Sequence, residues 1–237
     1  MRLDIWTDIV CPFCYLGRAR LEEAVAGFEH RDEVELVWHS FELDRDAPAV
    51  SEQTVVDLVA QKYGASREQM VAQHESLAAQ MRELGLPVDF DRARHGNTFD
   101  AHRVVHLATE HGLGGEMHAR LLRAYFAEGL AIGDREVLAD LAAEVGLDRD
   151  EVVQALAGHD YGNHVRSDEA TAKMIGITGV PFVVLDRKYG VSGAQPTQVF
   201  ADALATAWEH RHEVAEPVAT GCGGGCGPDG CAGACAS

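Results

Sequence analysis

The sequence predicts an α/β fold that opens on a βαβ unit, closes on a β-hairpin and a helix, and holds a long all-helical stretch between them. Three features point to it. Apolar runs of strand character stand near the two ends, at Leu3–Trp6, Val34–Leu43, Val180–Leu185 and Tyr189–Gly193, with no convincing run between Asp44 and Gly179. In that interval, capping residues and stopping glycines recur at helical lengths. The joint between the first strand and the first helix carries Cys11-Pro12-Phe13-Cys14.

Leu3, Ile5 and Trp6 make the first strand, and Cys14, Leu21, Ala24, Val25 and Phe28 then recur at helical spacing as far as His30. Val34–Leu43, rich in Val, Trp and Phe, completes the βαβ opening. Ser51 is expected to cap a helix running to Tyr63, and Ser66 with Gln69 is a capping-box pattern. Asn97 or Thr98 opens a helix containing Val104, Val105 and Leu107, which Gly112 stops. Gly114-Gly115 precedes a helix to Leu130, Asp134 starts one ended by Gly146, and Asp148 with Glu151 starts one ended by Gly158. A longer helix from Tyr161 to Ile175 leads back to strand sequence. There Val180–Leu185, the charged turn Asp186–Lys188 and Tyr189–Gly193 read as a hairpin. The last helix, from Thr197 to Arg211, carries Val199, Phe200, Ala203, Leu204, Ala207 and Trp208 on a broad apolar face. This order is that of a thioredoxin-like fold split by an all-helical insertion. Residues 1–43 and 161–216 make the thioredoxin-like domain, 44–160 the insertion and 217–237 a Gly/Cys-rich tail.

Within this frame the cysteine pair is the expected chemical centre. Pro12 suits the first helical position, because its φ is already helical and its missing N–H is one the helix leaves unpaired. A thiolate at Cys11 then faces free backbone N–H groups and the positive end of the helix dipole, which favour S⁻ over SH. Cys11 is therefore the expected nucleophile. Cys14, on the apolar face and partly buried, is placed to attack a mixed disulfide formed at Cys11. The alternative, a zinc half-site, needs a second pair or histidines folded against the first, and the other four cysteines all lie beyond residue 220.

At 237 residues and 46% hydrophobic composition the chain can bury a sizeable core. Its net charge of -18 argues against a nucleic-acid partner or an anionic membrane surface. There is no basic segment followed by a long apolar stretch at the N-terminus, and no run of transmembrane length. The expected address is the cytoplasm, where paired cysteines are more often catalytic than structural.

Three separated segments carry a family resemblance: Asp8-Ile9-Val10-Cys11-Pro12-Phe13-Cys14-Tyr15-Leu16-Gly17, Asn97-Thr98-Phe99-Asp100-Ala101-His102-Arg103, and Tyr189-Gly190-Val191-Ser192-Gly193-Ala194-Gln195-Pro196. Together with Gly179-Val180-Pro181-Phe182 before the hairpin, they make residues 1–212 resemble DsbA-type thiol-disulfide oxidoreductases of the FrnE-like branch. The resemblance implies a cis Val180–Pro181 peptide beside the cysteine pair, which leaves a backbone edge at Val180 open to an extended substrate. It also implies a helical cap over the pair, and substrate contacts from Pro12, Phe13, Val180, Pro181, Asn97, Phe99 and His102. No cofactor beyond the redox-active disulfide is implied, with glutathione as a conceivable co-substrate. Where thioredoxin has a buried acid ahead of its first cysteine, this chain has Ile5, so proton handling does not carry over.

Other candidates carry less. His102 and His106, four apart on one helix, have the spacing of a metal pair, but no third ligand is evident and hydrogen-bonded histidines are the better expectation. His39, near the end of the second strand, is a candidate proton shuttle, against a partly exposed strand residue. Asp8 stands close enough to Cys11 in sequence to tune it or accept protons, but is expected to be a solvated loop residue or a turn former.

The expected function is thiol-disulfide exchange on protein, peptide or small disulfides, with the direction set by the redox poise of the compartment. One alternative is a glutathione-dependent isomerase of a small aromatic acid on the same fold, a class that typically has serine where Cys11 stands. Another is a metal-binding or redox-sensing module built on the tail. There Gly227-Pro228-Asp229-Gly230 is a turn sequence that sets Cys226 opposite Cys231 and Cys222 opposite Cys235. Cysteines four apart on an extended strand stand about 13 Å apart, so an extended tail favours two nested disulfides over zinc, as second redox pairs that exchange with Cys11 and Cys14.

Overall fold

In the computed structural model, which describes residues 1–51 and 53–212, strand β1 (Arg2–Thr7) is buried from Leu3 onward. Burial on both faces belongs to an interior strand, and β1 lies inside a four-stranded sheet of order β2-β1-β3-β4. Helix α1 (Pro12–Ala26) connects it to the parallel strand β2 (Glu35–Ser40). On its other side β1 pairs antiparallel with β3 (Phe182–Leu185), which turns back into β4 (Tyr189–Ser192). Asp186 takes the left-handed conformation in that turn, and its carboxylate accepts from Arg2 N–H at 2.7 Å.

Between β2 and β3 run α2 (Val55–Tyr63), α3 (Arg67–Glu83), α4 (Phe99–Glu110), α5 (Gly114–Arg123) with a π-turn through Glu128, α6 (Arg135–Val145), α7 (Arg149–Ala157) and α8 (Gly162–Met174). The chain's last described helix is α9 (Thr197–Glu209). Ser66 and Gln69 form the expected capping box, and the Asp134 and Asp148 side chains accept from the first N–H groups of α6 and α7.

Two sequence expectations are corrected. The cap of α2 is Thr54, whose hydroxyl accepts from Asp57 N–H, while Ser51 Oγ accepts from Gln53 N–H outside the helix. The second strand stops at Ser40, short of Leu43. Beyond it carboxylates take the place of a neighbouring strand: Glu42 N–H donates to Glu169 at 3.2 Å and Leu43 N–H to Asp8 at 2.8 Å.

The alternation of β1 sends Leu3 and Ile5 to one face, where Leu21 of α1, Trp38 of β2 and Phe200 and Leu204 of α9 join them in a core. Trp6 faces the other way and packs on Ala172 of α8 and Ile177. A third and larger core fills the helical stretch around Met81, Leu107, Leu121, Phe126 and Leu138. Ile9, Tyr15 and Leu16 belong to it as well, so the start of α1 is wedged between the sheet and the helices. The tail cysteines Cys222, Cys226, Cys231 and Cys235 lie outside the described residues.

Candidate active site

Cys11 caps α1 with an extended backbone, and Pro12 follows as the first helical residue. The Cys11 N–H donates to Asp8 O at 3.2 Å, and the Cys11 carbonyl accepts from Cys14 N–H at 3.0 Å. Both cysteines are unbridged. The sequence places Cys11 at the open start of the helix and Cys14 partly buried on its apolar face, but both are buried, at 4% and 1% exposed. What separates them is their surroundings. The Cys11 thiol faces the Val180 carbonyl at 3.6 Å, in a part-buried setting. Cys14 Sγ accepts from Asp8 N–H at 3.5 Å and lies against the Thr7 side chain. Burial, with Cys11 adding to it, pushes the Cys14 thiol well above the usual cysteine range, and Thr7 and the Asp8 N–H only partly oppose this. Between the two cysteines Phe13 projects into solvent, 53% exposed.

The Val180–Pro181 peptide is cis. Its position follows from two glycines of the segments singled out above. A Cβ on Gly17 would fall 3.0 Å from Pro181 Cγ and 3.4 Å from Ala194, so only glycine lets α1 approach the proline this closely. Gly193, at φ +81°, turns its N–H onto the Pro181 carbonyl at 2.8 Å. Arg20 of α1 completes the clamp by donating to Ala194 O at 2.7 Å.

Of Asn97, Phe99 and His102, His102 alone is linked by hydrogen bonds to the cysteine pair, and it arrives through Asp8. His102 Nε2 lies 3.3 Å from Asp8 Oδ1. Asp8 forms the expected turn, its carbonyl accepting from Cys11 N–H, but it is fully buried instead of solvated, because its two carboxylate oxygens serve His102 and Leu43 N–H while its N–H serves Cys14. Asn97 instead pins the entry to α4, accepting from Phe99 N–H at 2.9 Å and donating to Arg45 O at 3.1 Å. Phe99 carries the Arg166 guanidinium 4.4 Å from its ring centre and packs against Gly162.

The other two histidine candidates, His39 and His106, meet a different carboxylate, Asp168 of α8. His39 stacks on Trp6 and has both ring nitrogens taken, by Asp168 and Asp4 at 2.8 Å each. That leaves neither nitrogen free for Cys11. His106 reaches Ser40 Oγ at 3.0 Å and Asp168 at 3.1 Å, so His102 and His106 turn to different carboxylates despite their shared helix. Sequence reasoning missed Thr7, Arg18 and His118. The available signal was a histidine set among Met117, Leu121 and Leu122 on the buried side of α5.

A cysteine pair at the start of the first helix, beside a cis-proline loop on a four-stranded sheet, defines a thioredoxin-class protein with a helical insertion. Comparison narrows this: the DSBA-like thioredoxin domain model matches residues 2–205, and the chain belongs to that family of oxidoreductases. A structure described as a "probable DsbA oxidoreductase" from Streptomyces coelicolor is 46% identical, with a TM-score of 0.87 over 98% of each chain. The uncharacterized Bacillus subtilis protein YwbO is 32% identical over 86% of this chain and 96% of its own. The cytosolic disulfide reductase DsbM of Pseudomonas aeruginosa shares the fold, at 20% identity and a TM-score of 0.62 over 88% of this chain and 99% of its own. Among the described residues no helix is long and apolar enough to cross a membrane.

Proposed function

We propose that this chain exchanges disulfides through Cys11 and Cys14 on protein, peptide or small-molecule substrates. The observation that carries the reading is the Cys11 thiol at a helix cap, 3.6 Å from the Val180 carbonyl beside cis-Pro181, with Cys14 one turn behind it. In the reducing direction the Cys11 thiolate attacks a substrate disulfide, the substrate S–S bond breaks, and one substrate thiolate leaves. Cys14 then attacks the Cys11 sulfur, the mixed disulfide breaks, and the second substrate thiol departs from an oxidised enzyme. Oxidation of a dithiol substrate is the same sequence reversed, and the redox partner sets the direction. Exposed Phe13 and the backbone edge at Val180 are the surfaces offered to a substrate chain. The reading needs no cofactor besides the cysteine pair, admits glutathione as co-substrate, and includes a cytoplasmic address and a FrnE-like place in the family. Reduction of insulin by a thiol reductant tests it. Wild type should accelerate turnover and Cys11→Ser should not; equal rates for the two would remove Cys11 from the chemistry.

A further inference from the structure

Disulfide exchange requires Cys14 to become a thiolate in a place that bulk water does not reach. The cavity beside it, lined by Thr7, Arg18, Trp38, Pro181 and others, measures ≈ 10 Å³, room for about one water at most. Negative charge on that sulfur must therefore be met by protein donors. One is the Asp8 N–H.

The second is set by a chain of three side chains from β1, α1 and α5. Arg18 Nη1 lies 2.8 Å from His118 Nδ1, and His118 Nε2 lies 3.2 Å from Thr7 Oγ1. A guanidinium has only donors, so His118 Nδ1 must accept and the ring proton must sit on Nε2. Nε2–H then donates to Thr7 Oγ1, which leaves the hydroxyl proton of Thr7 free for its neighbour Cys14 Sγ. Burial, then the Arg18 charge and then His102 hold His118 well below the usual histidine range, so it stays neutral and keeps this direction. Trp38 locks the arrangement, with its ring stacked 4.5 Å from His118 and 4.3 Å from the Arg18 guanidinium. Glu22, paired with Arg18 at 2.6 Å, carries the chain out to the surface, and Glu116 is the other acid near Arg18.

We propose that Arg18, His118 and Thr7 form a fixed hydrogen-bond chain that stabilises the Cys14 thiolate during resolution of the mixed disulfide. Thr7, which lines the same small cavity as Cys14, is the residue that meets the reacting sulfur in this scheme, and His118 and Arg18 are positioning residues. This rests on the disulfide-exchange reading above. In the step concerned, Cys14–S⁻ forms the bond to Cys11 Sγ and the bond from Cys11 to the substrate sulfur breaks. The departing thiolate keeps the electron pair and takes up the proton Cys14 has released. His118 takes no proton in this scheme, because its one lone pair is spent on Arg18.

The test uses the full chain with the four tail cysteines changed to serine, reduced and mixed with the aromatic disulfide 5,5′-dithiobis(2-nitrobenzoate) in a stopped-flow instrument. Attack by Cys11 releases a first coloured thiolate at a rate set by reagent concentration, and attack by Cys14 releases a second at a rate independent of it. Thr7→Val should slow the second release about tenfold relative to the first, the loss of one hydrogen bond to a charged group, and move its pH midpoint upward. Thr7→Ser should restore both, and His118→Phe should behave like Thr7→Val. A Thr7→Val protein with the wild-type ratio and midpoint would overturn the chain, as would a Thr7→Ser protein as slow as Thr7→Val, since packing alone would then explain the loss. Wild type that releases one thiolate and stops would sink the exchange reading and this inference with it.

Discussion

Asp8 Oδ1 and His102 Nε2 meet at 3.3 Å in a part of the molecule that neither side chain shares with solvent. The contact joins the loop before Cys11 to the helical insertion, across 94 positions of sequence. Because the Asp8 backbone also touches both cysteines, this residue gives the helices a polar hold on the cysteine loop, beside the packing of Ile9, Tyr15 and Leu16 in the helical core. Asp8→Ala would leave His102 buried without its acceptor and remove the acceptor of Leu43 N–H. A loss of about 3 kcal/mol is expected, read as a lower denaturation midpoint in urea at an unchanged slope.

The two thiols should differ in reactivity although both residues are buried. Burial disfavours the thiolate at Cys14, and Cys11 beside it adds to the effect. Between about pH 5 and 8, iodoacetamide should label Cys11 and leave Cys14 largely unmodified in the reduced protein. In the same vein Cys14→Ala should accumulate mixed disulfides at Cys11, and Cys11→Ala should accumulate none at Cys14. Peptide mapping that found adducts on Cys14 would reverse the roles.

Gly17→Ala tests the seat of the cis-proline loop. The added methyl would stand 3.0 Å from Pro181 Cγ, backed by Ala194 at 3.4 Å, so the loop or the helix must shift. Overpacking of this kind costs about 1–3 kcal/mol. Because the shift falls on the Val180 carbonyl that faces Cys11, turnover of a peptide disulfide should drop more than stability does. Unchanged kcat/KM for a peptide substrate would show that the loop tolerates the displacement.

Local signals made most of the frame legible. The Ser66, Asp134 and Asp148 caps bond N–H groups two or three residues away, so their meaning is contained in a few letters of sequence. Cys11-Pro12-Phe13-Cys14 is local in the same sense. What sequence could not supply are contacts closed by the tertiary fold. Asp8 reads as a loop acid until α4 is packed against it, and His118 reads as one more helix residue until α5 lies on β2 and brings it to Thr7, 111 positions earlier. The false end of β2 has the same origin, since the carboxylates that replace its strand partner come from Asp8 and from Glu169 on α8.

A pH signature should come from His39. Burial opposes its charged form, but Asp168 and then Asp4 outweigh that opposition, so its pKa is raised in the folded protein. Asp168 is depressed despite burial, because His106 and His39 both bond to it. A group whose pKa is raised on folding contributes its full stabilisation below the unfolded value, about 6.5 for histidine, and loses it as pH rises through the folded value. The acids work in the other sense, contributing at neutral pH and losing their contribution as pH falls below the ordinary carboxylate range. His39→Gln should therefore destabilise the protein most at about pH 6, and the gap to wild type should narrow steadily towards about pH 9. Thermal melts of the two proteins across that range measure it. A gap that stays constant with pH would mean that His39 contributes through its stack on Trp6, at 4.5 Å, and not through its charge.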